Sequence, residues 1–457
     1  MKKFISLLIM VCIIAVMTSC GNSPGENVDN TVDTETPTAY KDMNGAVFLF
    51  NTGWTNEYFP LEGFSAAGDK MRERYAKTAE LFNCEFNVVL FTEGSASTLI
   101  TAAVATATDI PDLIDTHAVN AYPVYKAGLL YPLNNISTID LTKTKWGPEK
   151  FRQYGIWNGD SYGFFSYDWE FIPQFEGCLL FNNELVKSLG LQNPYEMQSK
   201  DEWKWSNFKE ELIKATQTLD EVAVTGLQIG GMDRTAQTAI FSNGVRTIEQ
   251  KDGKYVFGYS SPEAYAALDY LKDLVKSKVA YVSGTTTDFS RDLKSVYFAC
   301  ESWIGTVNAE GSPDLPSVML DDYGFMPFPY GPNGNKDTVS AYVHISRRLN
   351  FVVGASDNDP EDIGTVIDYV FSPLADSEPE AWKKLAEKSV FHHTEGYNNF
   401  VNMTENANYD FSAELFDVKA QLADALNKAT GSSTPVSAMD AIKDLVQVEI
   451  DENMLVK

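Results

Sequence analysis

Four short stretches of the 457-residue chain set rings beside carboxylates and amides. They are Trp54 within Asn51-Thr52-Gly53-Trp54-Thr55-Asn56-Glu57, the group Asp115, His117 and Asn120, the tetrad Tyr167-Asp168-Trp169-Glu170, and Glu301-Ser302-Trp303. A polyhydroxylated ring has apolar C–H faces and a rim of hydroxyls. Aromatic plates grip its faces, while carboxylates and amides accept and donate hydrogen bonds at its edge. Bond-making chemistry has no comparable signature here: no G-x-S-x-G nucleophile elbow, phosphate loop or H-E-x-x-H helix is present. Asp321-Asp322, or Asp168 with Glu170, resemble the carboxylate pairs of glycoside hydrolysis, but 63 acidic residues produce such pairs by chance. His392-His393-Thr394-Glu395 is the only local metal-like cluster, and adjacent histidines point to different faces of a helix or strand. Gly230-Gly231 and Gly331-Pro332-Asn333-Gly334 read as turns. The expectation is a non-catalytic binder with no cofactor and no metal.

Each candidate has a packing alternative. Trp54 serves equally well as a ligand plate or as lobe packing, His117 as a structural residue, and Asp168 and Glu170 as solvated hinge charges. Trp157, Trp203 and Trp205 are read as packing residues.

The elements that would position these groups begin after an address. Lys2 and Lys3, the apolar stretch from Phe4 to Val16 and the small residues before Cys20 form a secretory signal peptide over residues 1–19. The apolar run is shorter than the roughly 20 residues of a spanning helix. Val16-Met17-Thr18-Ser19-Cys20 resembles a bacterial lipobox, which makes Cys20 the lipid-bearing first residue of the mature protein. Residues 20–39 carry four acidic and no basic side chains and no aromatic ring. They cannot bury enough surface to fold, and as a flexible tether they reach on the order of 25 Å. The expected location is the extracytoplasmic face of the cell membrane, held by the lipid anchor alone.

The chain's formal net charge of −27 makes nucleic acid and anionic membrane surfaces poor partners. An apolar content of 44% marks a folded chain, and about 415 residues after the tether exceed what one core supports, so two lobes are expected. Cys84, Cys178 and Cys300 read as buried small hydrophobes, with at most one disulfide that spacing cannot assign.

Strand and helix signals alternate. Ala46 to Phe50 is a buried strand, followed by a helix with Phe64, Ala67, Met71, Tyr75, Ala79 and Phe82 at three- and four-residue spacing. A strand from Cys84 to Phe91, a small-residue helix near Ser97 to Ala107 and a short strand at Asp112 to Ile114 complete a βαβ grammar with a parallel sheet. The grammar restarts with a strand at Cys178 to Phe181 and a helix over Trp205 to Leu219 capped by Ser206. Helices also open at Ser261-Pro262, Asp359-Pro360 and Ser377-Glu378-Pro379-Glu380. All the ring-and-carboxylate groups except 167–170 then lie just past predicted strands, where open α/β sheets bind ligands.

Four segments, in order, resemble the carbohydrate-type bacterial extracellular solute-binding proteins, the receptor components of ABC importers. They are Ile110-Pro111-Asp112-Leu113-Ile114 with Ala127 to Leu133; Tyr162-Gly163 with Leu180 to Leu191; Trp203 to Phe208; and Gly324 to Gly334. The stretch Leu293 to Cys300 lacks the family's glycine and methionine, and Pro173 is displaced from the proline that follows the family's Tyr-Gly. The resemblance implies a two-lobe periplasmic-binding-protein-like α/β fold with a hinge and an inter-lobe cleft. Lobe 1 would be 40–171 plus 326–372, lobe 2 172–325 plus 373–457, with crossovers near 168–176 and 323–331. It also implies a monomer that closes on a sugar or oligosaccharide, placed in part by Trp303, and delivers it to ABC transporter permease subunits.

Overall fold

The computed structural model describes residues 40–53, 62, 66–92, 95–147, 149–165, 173–219, 222–290, 292–302, 322–343, 348–372, 381–389, 391, 393–409 and 415–453. The strands that organise them are β1 Ala46–Thr52, β2 Cys84–Leu90, β3 Leu113–His117, β4 Gly163–Phe164, β5 Cys178–Asn182, β6 Val222–Ile229, β7 Ala280–Val282, β8 Ser295–Cys300, β9 Tyr323–Pro327 and β10 Arg348–Val352. The first sheet has the order β2-β1-β3-β10-β4. The second has the order β7-β6-β8-β5-β9, with Gln217–Leu219 beside β6.

Within each sheet the strands fed by local helical crossovers are parallel: β1 with β2 and β3, β6 with β7 and β8. Those joined through the segments between sheets are antiparallel: β10 on β3 and β4, β5 on β8 and β9. The expected parallel sheet is therefore corrected to two mixed ones. A strand entering from the other sheet has no local helix to return it to the starting end, so it runs the opposite way.

The helices used below are α1 Ala66–Phe82, α2 Ala96–Thr106, α3 Ala118–Lys126, α4 Trp205–Ala215, α5 Met232–Ser242, α6 Pro262–Lys276, α7 Pro360–Val370 and α8 Thr394–Asn406. Two starts match the sequence signals. Ser261 Oγ accepts from the Ala264 N–H at 3.3 Å, and the Asp359 carboxylate accepts from the Glu361 N–H at 2.8 Å, each ahead of a proline in the first turn. On α7, Ile363, Val366, Ile367 and Val370 are buried, as their spacing requires. Helix α4 differs from its expectation. Its N-cap position is Lys204, without a side-chain cap, and it stops at Ala215 because Gln217–Leu219 turns back to pair with β6. The expected start at Ser377 to Glu380 lies outside the described residues.

Strand β3 also runs further than Asp112 to Ile114, because β1 and β10 supply ladder partners on both sides. Asp115 and His117 consequently lie within the strand and Asn120 within α3, rather than in a loop beyond it.

The period of two along the strands divides the core. On β5, Leu179 and Phe181 face a cluster with Trp203, Phe208, Leu227 and Leu271, whereas Cys178 and Leu180 face one with Phe298, Phe325, Phe351 and Trp382. That second cluster takes residues from both sheets. A third, with Phe48, Phe50, Leu113, Trp146 and Val352, backs the first sheet. Trp203 and Trp205 pack as expected: Trp203 Nε1 donates to the Pro327 carbonyl at 2.9 Å, and Trp205 stacks on Tyr270 with centroids 4.5 Å apart.

The proline-rich run after Gly324, read as part of the second crossover, is folded onto the second sheet. Tyr323–Pro327 is the edge strand β9, and Tyr330 bridges to Lys204. The chain leaves this sheet beyond the 325/326 lobe boundary read from the sequence. The first and second crossover segments, which run side by side between the sheets, are 173–177 and 339–343, where Glu176 and Tyr342 exchange backbone hydrogen bonds of 2.8 and 3.1 Å. Gly177 makes this approach possible. Its φ is +90°, and a Cβ there would stand 2.5 Å from the Ser340 carbonyl oxygen.

Candidate ligand-binding site

Strands β6, β7 and β8 end level with one another: Ile229 is in register with Val282 on one side and Ala299 on the other. Past these carboxyl ends opens a cavity of about 410 Å³. Its wall is built by residues just beyond each strand, Gly230-Gly231 after β6, Gly284 after β7 and Glu301 after β8, and by Glu176 and Gly177 of the first crossover segment. Helix α5 begins at the wall and adds Asp233, Arg234, Thr235 and Thr238. A side chain would crowd the space at Gly230, where a Cβ would stand 3.1 Å from the Phe298 ring, whereas one at Gly231 would meet nothing nearer than 3.8 Å.

Arg234 organises the charge. Its guanidinium lies 3.4 Å from the Glu176 carboxylate and in closer contact with Glu301. The Glu176 side chain is 5% exposed, that of Glu301 24% and that of Arg234 36%, so a buried acid and a solvent-facing acid share one cation. Burial disfavours the Arg234 charge, but Glu176 and the other negative partners outweigh it and its pKa is raised. Tyr342 O–H donates to the Arg234 carbonyl at 3.3 Å, fixing α5 to the second crossover segment. The first is held by Ser302: its Oγ accepts from the Phe175 N–H at 2.8 Å, and its N–H donates to the Phe175 carbonyl at 2.9 Å. The segment of Tyr342 thus bonds to the cavity wall at Arg234, and that of Phe175 to Ser302, the neighbour of Glu301.

Of the side chains singled out from the sequence, Glu301 lines this cavity. Asp115, His117 and Asn120 come together at the matching carboxyl end of β3 in the first sheet. There Asp115 is only 2% exposed, accepts from Thr52 Oγ1 at 2.7 Å and lies 3.5 Å from Arg348 Nε, so it ties β1 to β10. His117 and Asn120 are half-buried. Trp54, Tyr167, Asp168, Trp169, Glu170 and Trp303 lie outside the described residues. Of the metal-like cluster, His392 lies outside them too, and His393 Nε2 is 2.6 Å from Asp322 Oδ1. Among the described residues no group of three or more His, Cys, Asp or Glu is placed to hold a metal ion.

Sequence reasoning missed Glu176 and Arg234. The available signal was Gly230-Gly231 directly between an apolar strand and a helix start, which places the first turn of α5 at a strand end. Three carboxylates, Glu176, Asp233 and Glu301, face one guanidinium around the cavity. Such a wall offers acceptors to hydroxyl and ammonium groups and repels anions.

No family model matches the chain, and no curated protein matches it. Solved structures match its fold. The GacH receptor of Streptomyces glaucescens, solved unliganded and with acarbose, is 17% identical with a TM-score of 0.61, over 89% of this chain and 99% of that one. The cyclic α-maltosyl-1,6-maltose binding protein of Arthrobacter globiformis gives 17% and 0.63, over 89% and 100%. UgpB of Mycobacterium tuberculosis, in complex with glycerophosphocholine, gives 14% and 0.63, over 90% and 100%. Together with its two mixed sheets and paired crossover segments, these likenesses identify the chain's architecture as the two-lobe periplasmic-binding-protein fold.

Proposed function

We propose that this protein is the lipid-anchored receptor of an ABC importer, capturing a neutral sugar or oligosaccharide by closure of its lobes and delivering it to a membrane permease without making or breaking a bond. The observation that carries the reading is the cavity past β6, β7 and β8: it is walled by hydrogen-bond acceptors and bonded to both crossover segments. Ligand there would bear on the segments about which the lobes hinge. Proteins of the same fold that bind acarbose and cyclic maltosyl-maltose support a sugar. A phosphate-bearing solute, such as the glycerophosphocholine of UgpB, is the second reading, and the excess of carboxylates at the wall weighs against it.

Calorimetric titration of the fragment from Tyr40 onward against a panel of neutral, amino and phosphorylated glycans tests the reading. Submicromolar to micromolar affinity for a neutral glycan is expected; binding only to phosphorylated solutes would overturn it. Trp303→Ala and Trp54→Ala are each expected to weaken that affinity by roughly 1–3 kcal/mol through loss of stacking on the sugar. Unchanged affinity in both would place the stacking surface elsewhere. The anchor rests on the lipobox: Cys20→Ala is expected to abolish palmitate incorporation and release the chain from membranes, and retention would contradict it.

A further inference from the structure

We infer that Cys178 and Cys300 are a modification site, a dithiol in the cavity wall that closes reversibly to a disulfide. The sequence leaves three cysteines without an assignable pairing, and the structure separates them. Cys84 lies on β2 of the first sheet, whereas Cys178 and Cys300 face each other in register across the antiparallel ladder of β5 and β8. Directly opposed residues in such a ladder have Cα atoms about 4.5–5.5 Å apart, inside the roughly 4.4–6.8 Å that a disulfide spans. The two sulfurs are 3.9 Å apart, and the Cys178 thiol also points at the Cys300 carbonyl oxygen, 3.2 Å away. Side-chain rotation of less than about 2 Å brings them to bonding distance with the ladder intact.

The cavity supplies access. Both residues line it; Cys178 is buried and Cys300 partly exposed, so an entering oxidant meets Cys300 first. Burial, then contact with Cys300 and the nearby Glu176, pushes the Cys178 thiol up. The oxidant is a small-molecule disulfide, RSSR. Cys300 loses its proton to solvent and its sulfur attacks one sulfur of RSSR, forming a mixed disulfide and releasing RS⁻, which takes up a proton. Cys178 then loses its proton to solvent and attacks the Cys300 sulfur, expelling the second RS⁻. Two protein thiols become one disulfide, and RSSR is reduced to two RSH. The bond would staple β5, which leads in from the first crossover segment, to β8, which leads out to Glu301.

The site is independent of the identity of the ligand. The full mature chain, purified in detergent, is treated with oxidised glutathione, alkylated and digested without reduction for mass spectrometry. The expected product is a peptide pair joined through Cys178 and Cys300, lighter by two hydrogen atoms and abolished by dithiothreitol, with Cys84 alkylated throughout. Alkylation of both Cys178 and Cys300 after the oxidant, glutathione retained on Cys300, or linkage through Cys84 would each overturn it.

Discussion

Arg234→Ala is expected to lower folding stability by about 2–4 kcal/mol, measured by denaturant unfolding of the fragment from Tyr40 onward. The cost comes from the partner left behind. Glu176 is almost fully buried in the crossover segment, and without the guanidinium 3.4 Å away its charge loses the cation that faces it. Breaking a buried ion pair from one side costs about 3–5 kcal/mol, and the partial exposure of Arg234, which admits water, places this case at the lower end. The double variant Glu176→Gln, Arg234→Met removes the buried charge, leaves only the solvent-facing Glu301 without its cation, and should recover at least half of the loss. A loss below about 0.5 kcal/mol in Arg234→Ala, the range of an exposed pair, would show that Glu176 does not depend on this contact.

Trp157→Ala carries the second large effect, about 3–5 kcal/mol. Its ring is stacked on Phe351 of β10 with an interplanar angle of 3° and packs on Tyr125 of α3 at 4.8 Å and Tyr122 at 5.6 Å. Tyr122 in turn stacks on Phe416 at 4.4 Å, so one indole sits where the first sheet, α3 and the C-terminal part of the chain converge. Truncation leaves a cavity that the four rings around it, Tyr122, Tyr125, Tyr162 and Phe351, cannot collapse to fill, whereas Trp157→Phe keeps much of the contact and should cost markedly less. Equal losses in the two variants would mean that the indole's size does not matter there.

Much of the architecture is legible in the sequence because local physics dictates it. The strand at Ala46, the proline-opened helices at Ser261 and Asp359, and the packing roles of Trp157, Trp203 and Trp205 follow from periodicity, caps and size, although that strand is buried on one face only, with Phe48 and Phe50 inward and Val47 exposed. Strand direction does not, because β5 and β10 take theirs from long connections between sheets rather than from their own residues. The proline-rich run at 327–334 misleads for a related reason. Its backbone is fastened by partners far along the chain, Trp203 and Lys204.

The site is half legible. Glu301 stands out beside Ser302 and Trp303 after an apolar strand, and it does line the cavity. Arg234 and Glu176 are 58 residues apart, and the one ring beside them in sequence, Phe175, is buried in the core. Asp115 reads as a strand-end residue facing a ligand, and the structure also sets it against Thr52 and Arg348. A carboxylate at the carboxyl end of a buried strand can serve the sheet as readily as the cleft, and only the neighbours on adjoining strands decide which.

The proposed capture mechanism requires closure on a ligand without turnover. Small-angle scattering of the fragment from Tyr40 onward, alone and saturated with its tightest glycan, with the glycan recovered and weighed afterwards, tests this most directly. The account predicts a smaller radius of gyration in the complex and an unaltered glycan. A glycan returned cleaved or modified, or a saturated complex as extended as the free protein, would contradict it.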